Sequence, residues 1–133
     1  MNKKIMVTLN DHHRLMELIE MTPVRKEMTD RLAESLTDAK LLRPEDIAGS
    51  VVTMNTRVRL KDLRSRREAE ITITYPQDAE PREMRVSIFS EIGLALLGRE
   101  EGDIVSWRIP NGTGRFEIDR VLYQPEASGD YAR

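Results

Sequence analysis

An alternation of residues in the middle of the chain constrains the fold more than any other feature of the sequence. Between Val51 and Leu60, every second residue suits one buried face, namely Val52, Met54, Thr56, Val58 and Leu60. Glu70–Tyr75 repeats the pattern over a shorter stretch. Because a period of two puts alternate side chains on one face of a strand, both stretches are predicted to be half-buried β-strands.

Three further strands and one short helix are predicted after these two. The strands lie at Arg85–Phe89, Ile104–Ile109 and Arg115–Tyr123, and the last two form a hairpin through Pro110-Asn111-Gly112. Ser90 can cap a helix that runs to Leu97, and Gly98 supplies a left-handed residue at its end. Strands packed against one helix indicate an α+β domain.

The residues before Val51 are predicted to form a short strand followed by two helices. Lys4–Leu9 is predicted to be a short strand, and the side-chain oxygens of Asn10 and Asp11 suit the start of a helix. Helices are predicted at His12–Met21 and Val24–Leu42.

Thr22-Pro23 separates the two predicted helices, since proline cannot continue the helical hydrogen-bond ladder. A connection this short predicts a short antiparallel helical hairpin, whose longer arm would span about 28 Å. A boundary near Ala48 divides the chain into a helical part, 1–48, and a sheet domain, 49–133.

Composition excludes several classes of protein. The 21 Lys and Arg residues against 23 Asp and Glu leave a net charge of −2, so no overall positive charge attracts nucleic acid. The absence of cysteine excludes disulfides and thiolate chemistry. No apolar stretch approaches the roughly 18 residues of a membrane helix, and the start does not resemble a signal peptide. A cytoplasmic protein without a membrane partner is expected.

No catalytic apparatus is visible in the sequence. The glycine spacings of phosphate loops, dinucleotide folds and serine-nucleophile turns are absent. His12 and His13 would point about 100° apart on a helix and have no obvious third ligand, which argues against a metal site. Glu100, Glu101 and Asp103 are interpreted as a solvated turn. We therefore expect no enzyme activity, cofactor, metal or small-molecule substrate.

A basic stretch has two interpretations. Positive charge is concentrated at Arg57, Arg59, Lys61, Arg64, Arg66 and Arg67, with only Asp62 opposing it. The favoured interpretation is a solvated strand edge that its charges protect from aggregation. The functional alternative is contact with an acidic protein surface or with nucleic acid. No exposed aromatic residues are interleaved, which disfavours a stacking platform for single strands.

The run from Ser87 to Val105 resembles the segment that identifies the C-terminal domain of the Gre transcript-cleavage factors. Ile109–Gly112 and Phe116–Tyr123 follow where that family has its last hairpin. Two more segments, Val51–Val58 and Tyr123–Tyr131, extend this resemblance. Taken together, all these segments make the chain similar to one branch of that family, the regulators of nucleoside diphosphate kinase.

This resemblance implies an FKBP-like sheet domain and an N-terminal coiled coil. In Gre relatives the C-terminal domain grips the rim of the RNA polymerase secondary channel while the coiled coil points into it. By this resemblance, the residues expected to bind the polymerase are Phe89, Ser90, Glu91, Ile92 and Arg99. The family commonly has proline after the serine, where this sequence has Glu91.

The tip of the hairpin bears on the chemistry. Cleavage-stimulating Gre factors carry acidic residues there, which help to hold Mg²⁺ in the polymerase. Here the tip is Thr22, Pro23, Val24, Arg25 and Lys26, and the nearest acids, Glu20 and Glu27, lie on opposite arms. The resemblance therefore implies a regulator that occupies the secondary channel without stimulating cleavage.

Two alternatives stay open at this point. The implied fold is shared with peptidyl-prolyl isomerases, which need an aromatic-lined pocket, and this chain has two Phe, one Trp and three Tyr. A non-catalytic interaction module that dimerises through its helices is the other.

Overall fold

A computed structural model describes residues 4–22 and 26–130 of the chain. In chain order its elements are β1 (Met6–Thr8), α1 (Leu9–Glu20), α2 (Lys26–Thr37), β2 (Lys40–Leu42), β3 (Arg57–Asp62), β4 (Glu68–Thr74), β5 (Arg85–Ser87), α3 (Glu91–Leu96), β6 (Ile104–Ile109) and β7 (Gly112–Tyr123). This mixture confirms the predicted α+β class. None of the helices in these ranges combines the length and apolarity that a bilayer crossing requires.

The N-terminal helices begin and end differently from the prediction. Thr8 caps α1, because its Oγ1 accepts the Asp11 amide at 3.0 Å. The prediction that Asn10 and Asp11 form the cap is therefore wrong. Both lie inside the helix, and the Asp11 side chain is left for another contact.

β1 and β2 form a parallel two-stranded sheet that the sequence pattern did not predict. Met6 pairs with Lys40, and Thr8 pairs with Leu42. The predicted helix from Val24 to Leu42 is therefore wrong at its C-terminal end, since α2 stops at Thr37. Each of the two helices has 12 residues and spans about 18 Å rather than 28 Å.

The main sheet has five strands in the order β5-β4-β3-β7-β6. Neighbouring strands are antiparallel except β4 and β5, which are parallel. The predicted strand Val51–Leu60 is wrong over its first half, because Asn55 has a φ of 64° and the Thr56 amide donates to the Thr53 carbonyl in a turn. The residues predicted to face inward are nevertheless all buried: Val52, Met54, Thr56, Val58 and Leu60.

The hairpin and the short helix follow the prediction closely. β6 and β7 pair from Ile104 with Glu117 to Ile109 with Gly112, which leaves Pro110 and Asn111 as the turn. Gly112, with a φ of 130°, takes the positive dihedral there. β7 begins three residues earlier than predicted.

A single buried core includes side chains from both halves of the chain. The helical half contributes Val7, Leu15, Leu32 and Leu36, and the sheet half contributes Val52, Val58, Ile73, Ile88, Leu96 and Ile118 among others. Gly98, with a φ of 78°, lies at a close contact between the halves: a Cβ there would be 2.4 Å from the Ile5 Cβ. Its carbonyl also accepts the Met6 amide at 3.1 Å.

Candidate functional site

Two serines shape the junction where β5 ends and α3 begins. The Ser87 carbonyl accepts hydrogen bonds from the Ser90 hydroxyl at 2.6 Å and from the Ser90 amide at 3.1 Å. The Ser90 Oγ accepts the Gly93 amide at 3.0 Å, which satisfies a free donor in the first turn of α3. The helix cap predicted at Ser90 is therefore confirmed.

The five residues to which polymerase binding was assigned differ in accessibility. Phe89 is only 7% exposed and belongs to the core, and Ser90 is engaged in the cap. Glu91 and Ile92 are half-buried in the first turn of α3. Arg99 lies beyond the other end of the helix. Ser90, Glu91 and Ile92 are therefore partly accessible at the junction, whereas Phe89 is not.

A groove runs along α3, from Glu91 in the first turn of the helix to Arg99 beyond its last turn. Two cavities, of about 510 and 400 Å³, share the residues Ser35, Leu94, Ala95 and Ser106. One reaches Glu91 and the other reaches Arg99. We call this continuous feature the α3 groove; α2 forms one wall, α3 the floor and β6 the other wall.

The β6 wall of the groove contains one aromatic side chain. Trp107 lines the α3 groove and stacks on Phe116 of β7, with ring centroids 4.0 Å apart and an interplanar angle of 4°. Among the described residues, Trp107 is the one aromatic side chain that lines the groove, and a single ring does not make the aromatic lining that an isomerase pocket needs.

An ion pair crosses the groove at its Glu91 end. The Arg31 Nη1 of α2 lies 2.7 Å from the Glu91 Oε2, and both side chains are about two-fifths exposed. Sequence reasoning missed this contact, because the two residues are 60 positions apart. The Glu91 carboxylate thus binds the protein's own helical half.

The predicted hairpin tip lies partly outside the described residues. Pro23, Val24 and Arg25 fall there, whereas Thr22 and Lys26 are described. The Thr22 hydroxyl donates to the Leu18 carbonyl at 2.7 Å and closes the end of α1. Met21 beside it is 79% exposed.

Neighbouring strands neutralise two of the predicted basic contact residues. Arg57 forms an ion pair with Glu70 of β4, and the Arg59 Nε lies 2.9 Å from the Asp119 Oδ2 of β7. Neither acid is close in sequence to its partner. Arg57 and Arg59 are therefore part of a mixed-charge sheet surface.

The other predicted basic residues form a different environment. Arg64, Arg66 and Arg67 are exposed in the loop between β3 and β4. The Leu63 amide donates to the Arg115 carbonyl at 3.0 Å, which holds this loop against the start of β7. The sequence did not single out Arg115, whose proximity depends on the β3–β7 register.

Asp11 is a buried carboxylate whose pKa is shifted. It is 7% exposed, and its Oδ2 accepts the Met54 amide at 3.1 Å. Burial raises the pKa of Asp11 to about 6, the Met54 hydrogen bond opposes that shift, and the charge of Glu126 adds to it. This contact joins α1 to the sheet half of the chain.

A cavity of about 410 Å³ adjoins Asp11. Its lining includes Arg14, Met54, Pro125 and Glu126. Nearby, the Arg14 guanidinium lies 4.2 Å from the centroid of the Tyr75 ring. Burial, with the nearby charge of Asp11, raises the pKa of Tyr75, and its hydroxyl has no hydrogen-bond partner among the described residues.

The histidines and the acidic turn show no metal-site geometry. The His13 Nε2 lies 3.3 Å from the Glu17 Oε1 on the exposed side of α1. The Asp103 Oδ2 accepts the Glu100 amide at 2.9 Å and lies 3.4 Å from the Arg99 Nε, so this carboxylate serves the turn. Across residues 4–22 and 26–130, no three His, Asp or Glu side chains are grouped to hold an ion.

The family of the chain follows from comparison with known proteins. Residues 47–123 match the family described as "Transcription elongation factor, GreA/GreB, C-term". The match covers more than half of the chain and includes β3 to β7, α3 and the serine junction. The protein belongs to the GreA/GreB family of transcription elongation factors, as the run Ser87–Val105 indicated.

Its relatives include regulators as well as elongation factors. The chain is 35% identical over 105 residues to the "Regulator of nucleoside diphosphate kinase" of Escherichia coli K12, covering 78% of this chain and 77% of that protein. It is 32% identical over 96 residues to the "Transcription elongation factor GreA" of Alkaliphilus oremlandii, covering 72% of this chain and 60% of that protein.

A solved structure matches almost the whole chain. The "Prokaryotic transcription elongation factor GreA/GreB from Nitrosomonas europaea" is 36% identical, with a TM-score of 0.79 over 92% of this chain and 100% of that one. The similarity therefore includes the helical half as well as the sheet.

Proposed function

We propose that this protein binds RNA polymerase at the rim of the secondary channel in the bacterial cytoplasm. It regulates elongation there without stimulating transcript cleavage, in the manner of the nucleoside diphosphate kinase regulator type. The observation that carries the proposal is the family match over 47–123, which includes the serine junction, α3 and the β6 wall of the groove. We propose further that the sheet domain has an FKBP-like fold, that the two helices form a coiled coil, and that the domain boundary lies near Ala48.

The α3 groove has the chemistry of a protein-binding surface. Half-buried Leu94 and Trp107 offer apolar area, and Arg31 and Glu91 provide charge at one edge. Protein interfaces commonly combine an apolar or aromatic centre with a polar rim. The groove therefore suits a helical segment of the polymerase rim.

The Arg31–Glu91 ion pair can be exchanged for a partner's charge at little cost. Both side chains are substantially exposed, and exposed pairs contribute at most about 1 kcal/mol. Glu91 is thereby available to a basic residue on the polymerase.

The short helical arm supports binding without cleavage. Helices of 12 residues reach about 18 Å, which is too short for a long probe into the channel. Glu20 ends α1, whereas Glu27 lines the α3 groove beside Arg31. The two acids nearest the tip are therefore on separate elements, and Glu27 faces the groove.

Blocking the groove is expected to weaken polymerase binding. Ser106 is exposed on β6 within the groove, so Ser106→Arg fills it without disturbing the core. We expect at least about a tenfold loss of affinity for core polymerase, or about 1.4 kcal/mol. Ser128→Arg makes the same change at an exposed serine outside the groove and should leave affinity unchanged. Titration of labelled protein with polymerase measures both; equal losses, or no binding by the unaltered protein, would contradict the proposal.

Cleavage assays test the second half of the proposal. On backtracked elongation complexes with Mg²⁺, RNA cleavage should stay within about twofold of the polymerase-only rate, because the tip supplies no carboxylate pair. The protein should also inhibit cleavage stimulated by an added cleavage factor, and Ser106→Arg should inhibit less. Strong stimulation by the protein alone would refute this function while leaving binding intact.

A further inference from the structure

We infer that a cleft between the β3–β4 loop and the β6–β7 hairpin binds the phosphate backbone of nucleic acid. The cleft has a volume of about 270 Å³, and Arg64 and Arg115 line it. Arg66 and Arg67 follow on the same exposed loop. We call this feature the arginine cleft.

The fold concentrates these charges although the chain as a whole is slightly acidic. Arg115 lies almost 50 positions after the loop, and β3–β7 pairing brings them together, with Asp62 opposite Phe116. The Leu63 amide also bonds to the Arg115 carbonyl at 3.0 Å. Backbone hydrogen bonds therefore hold the main chain of the loop next to that of Arg115.

Among the described residues, no acid forms an ion pair with the arginines of the loop and the cleft, although the charges of Asp62 and Arg64 lie close enough to interact. None of Arg64, Arg66, Arg67 and Arg115 forms an ion pair with an acid in the described part of the chain. This contrasts with Arg57 and Arg59 on the adjoining sheet, which are paired.

Asp62 is the one acid that lines the cleft, and it has a structural role. Its Oδ1 accepts the Arg64 amide at 2.9 Å and the Ser65 amide at 3.4 Å. The hydrogen bond from Arg64 is the main reason that the pKa of Asp62 is lowered. The carboxylate therefore ties the loop while the guanidinium groups stay at the surface.

The surroundings of the arginines favour phosphate over an acidic protein surface. Guanidinium groups bind both phosphate and carboxylate through paired hydrogen bonds, so the arginines alone do not decide between them. Protein partners usually need an apolar or aromatic anchor, whereas the exposed large apolar residues of the described chain all lie outside 62–67 and 109–115. The half-buried Leu63 and Ile109 at the cleft carry no ring for base stacking. Binding should therefore be independent of sequence and sensitive to salt.

Salt dependence tests the inference with the protein alone, so polymerase binding does not enter. The probe is a fluorescently labelled oligouridylate of about 20 nucleotides, titrated at increasing NaCl. Four phosphate contacts predict a slope of about −2.8 for log K against log salt, or about a 50-fold loss of affinity between 50 and 200 mM. Arg64→Gln with Arg115→Gln should halve that slope.

A matched pair of substitutions controls for net charge. Arg82→Gln with Arg120→Gln removes the same two charges at exposed positions outside the cleft and should leave the slope unchanged. Polyglutamate of similar length should fail to displace the oligouridylate. The inference is overturned by an absence of binding at 50 mM salt, by equal losses in both double variants, or by displacement with polyglutamate, which would assign the cleft to an acidic protein.

Discussion

Gly93→Ala is expected to lower the free energy of unfolding by about 3 kcal/mol, the upper range for overpacking a well-ordered site. A Cβ at this position would lie 2.4 Å from the Ser87 carbonyl oxygen and 2.9 Å from the Ile88 Cα. Both are backbone atoms, so no side chain can rotate away to make room. The Ser87 carbonyl is also the acceptor for the Ser90 hydroxyl, so the same substitution disturbs the junction.

The chain offers a matched control for this prediction. A Cβ at Gly49 would meet only the Ala127 Cβ, at an ordinary 3.5 Å. Gly49→Ala should therefore change the unfolding free energy by less than about 1 kcal/mol. Urea denaturation followed by circular dichroism measures both variants; similar stabilities for the two would show that α3 can move away from β5 freely.

The second large effect is a pH dependence of stability carried by Asp11. Its pKa of about 6 in the folded protein exceeds the ordinary value of 3.8, since burial disfavours the charged form. Between about pH 4 and 6 the folded state holds more protons at this site than the unfolded state. The free energy of unfolding therefore falls as the pH rises, by about 3 kcal/mol over the whole titration at 1.36 kcal/mol per pKa unit, and by about 2 kcal/mol within this window.

Asp11→Asn isolates this effect from the other titrations. The asparagine Oδ1 can still accept the Met54 amide, but the residue carries no charge at any pH. The stability of the variant relative to the original protein should rise by about 2 kcal/mol between pH 4 and 7. Denaturant titrations at both pH values provide the comparison. A difference that stays constant with pH would mean that the carboxylate remains well solvated.

Local sequence rules succeeded where the structure depends on near neighbours. Ser90 was predicted to cap α3 and does so through the Gly93 amide three residues later. The hairpin around Pro110-Asn111 was likewise predicted from turn chemistry. The alternation from Val52 to Leu60 predicted which side chains are buried, although the left-handed Asn55 breaks the strand between them.

Features that depend on distant partners were not predictable in the same way. Leu41 and Leu42 continue the apolar spacing of α2, and only pairing with β1 removes them from the helix. Asp11 fits the pattern of a cap residue, yet its partner is Met54, 43 positions away. The Arg31–Glu91 pair and the approach of Arg115 to Arg64 likewise require the strand order and register.

The parallel pairing of β1 with β2 has a mechanical consequence for the helical arm. β1 leads directly into α1, and β2 follows α2. Both helices are therefore attached at their base to the same two-stranded sheet. The bond from the Met6 amide to the Gly98 carbonyl fastens that sheet to the end of α3. The two helices are therefore held at their base by two strands, and these backbone hydrogen bonds fix the direction of the helices relative to the sheet domain.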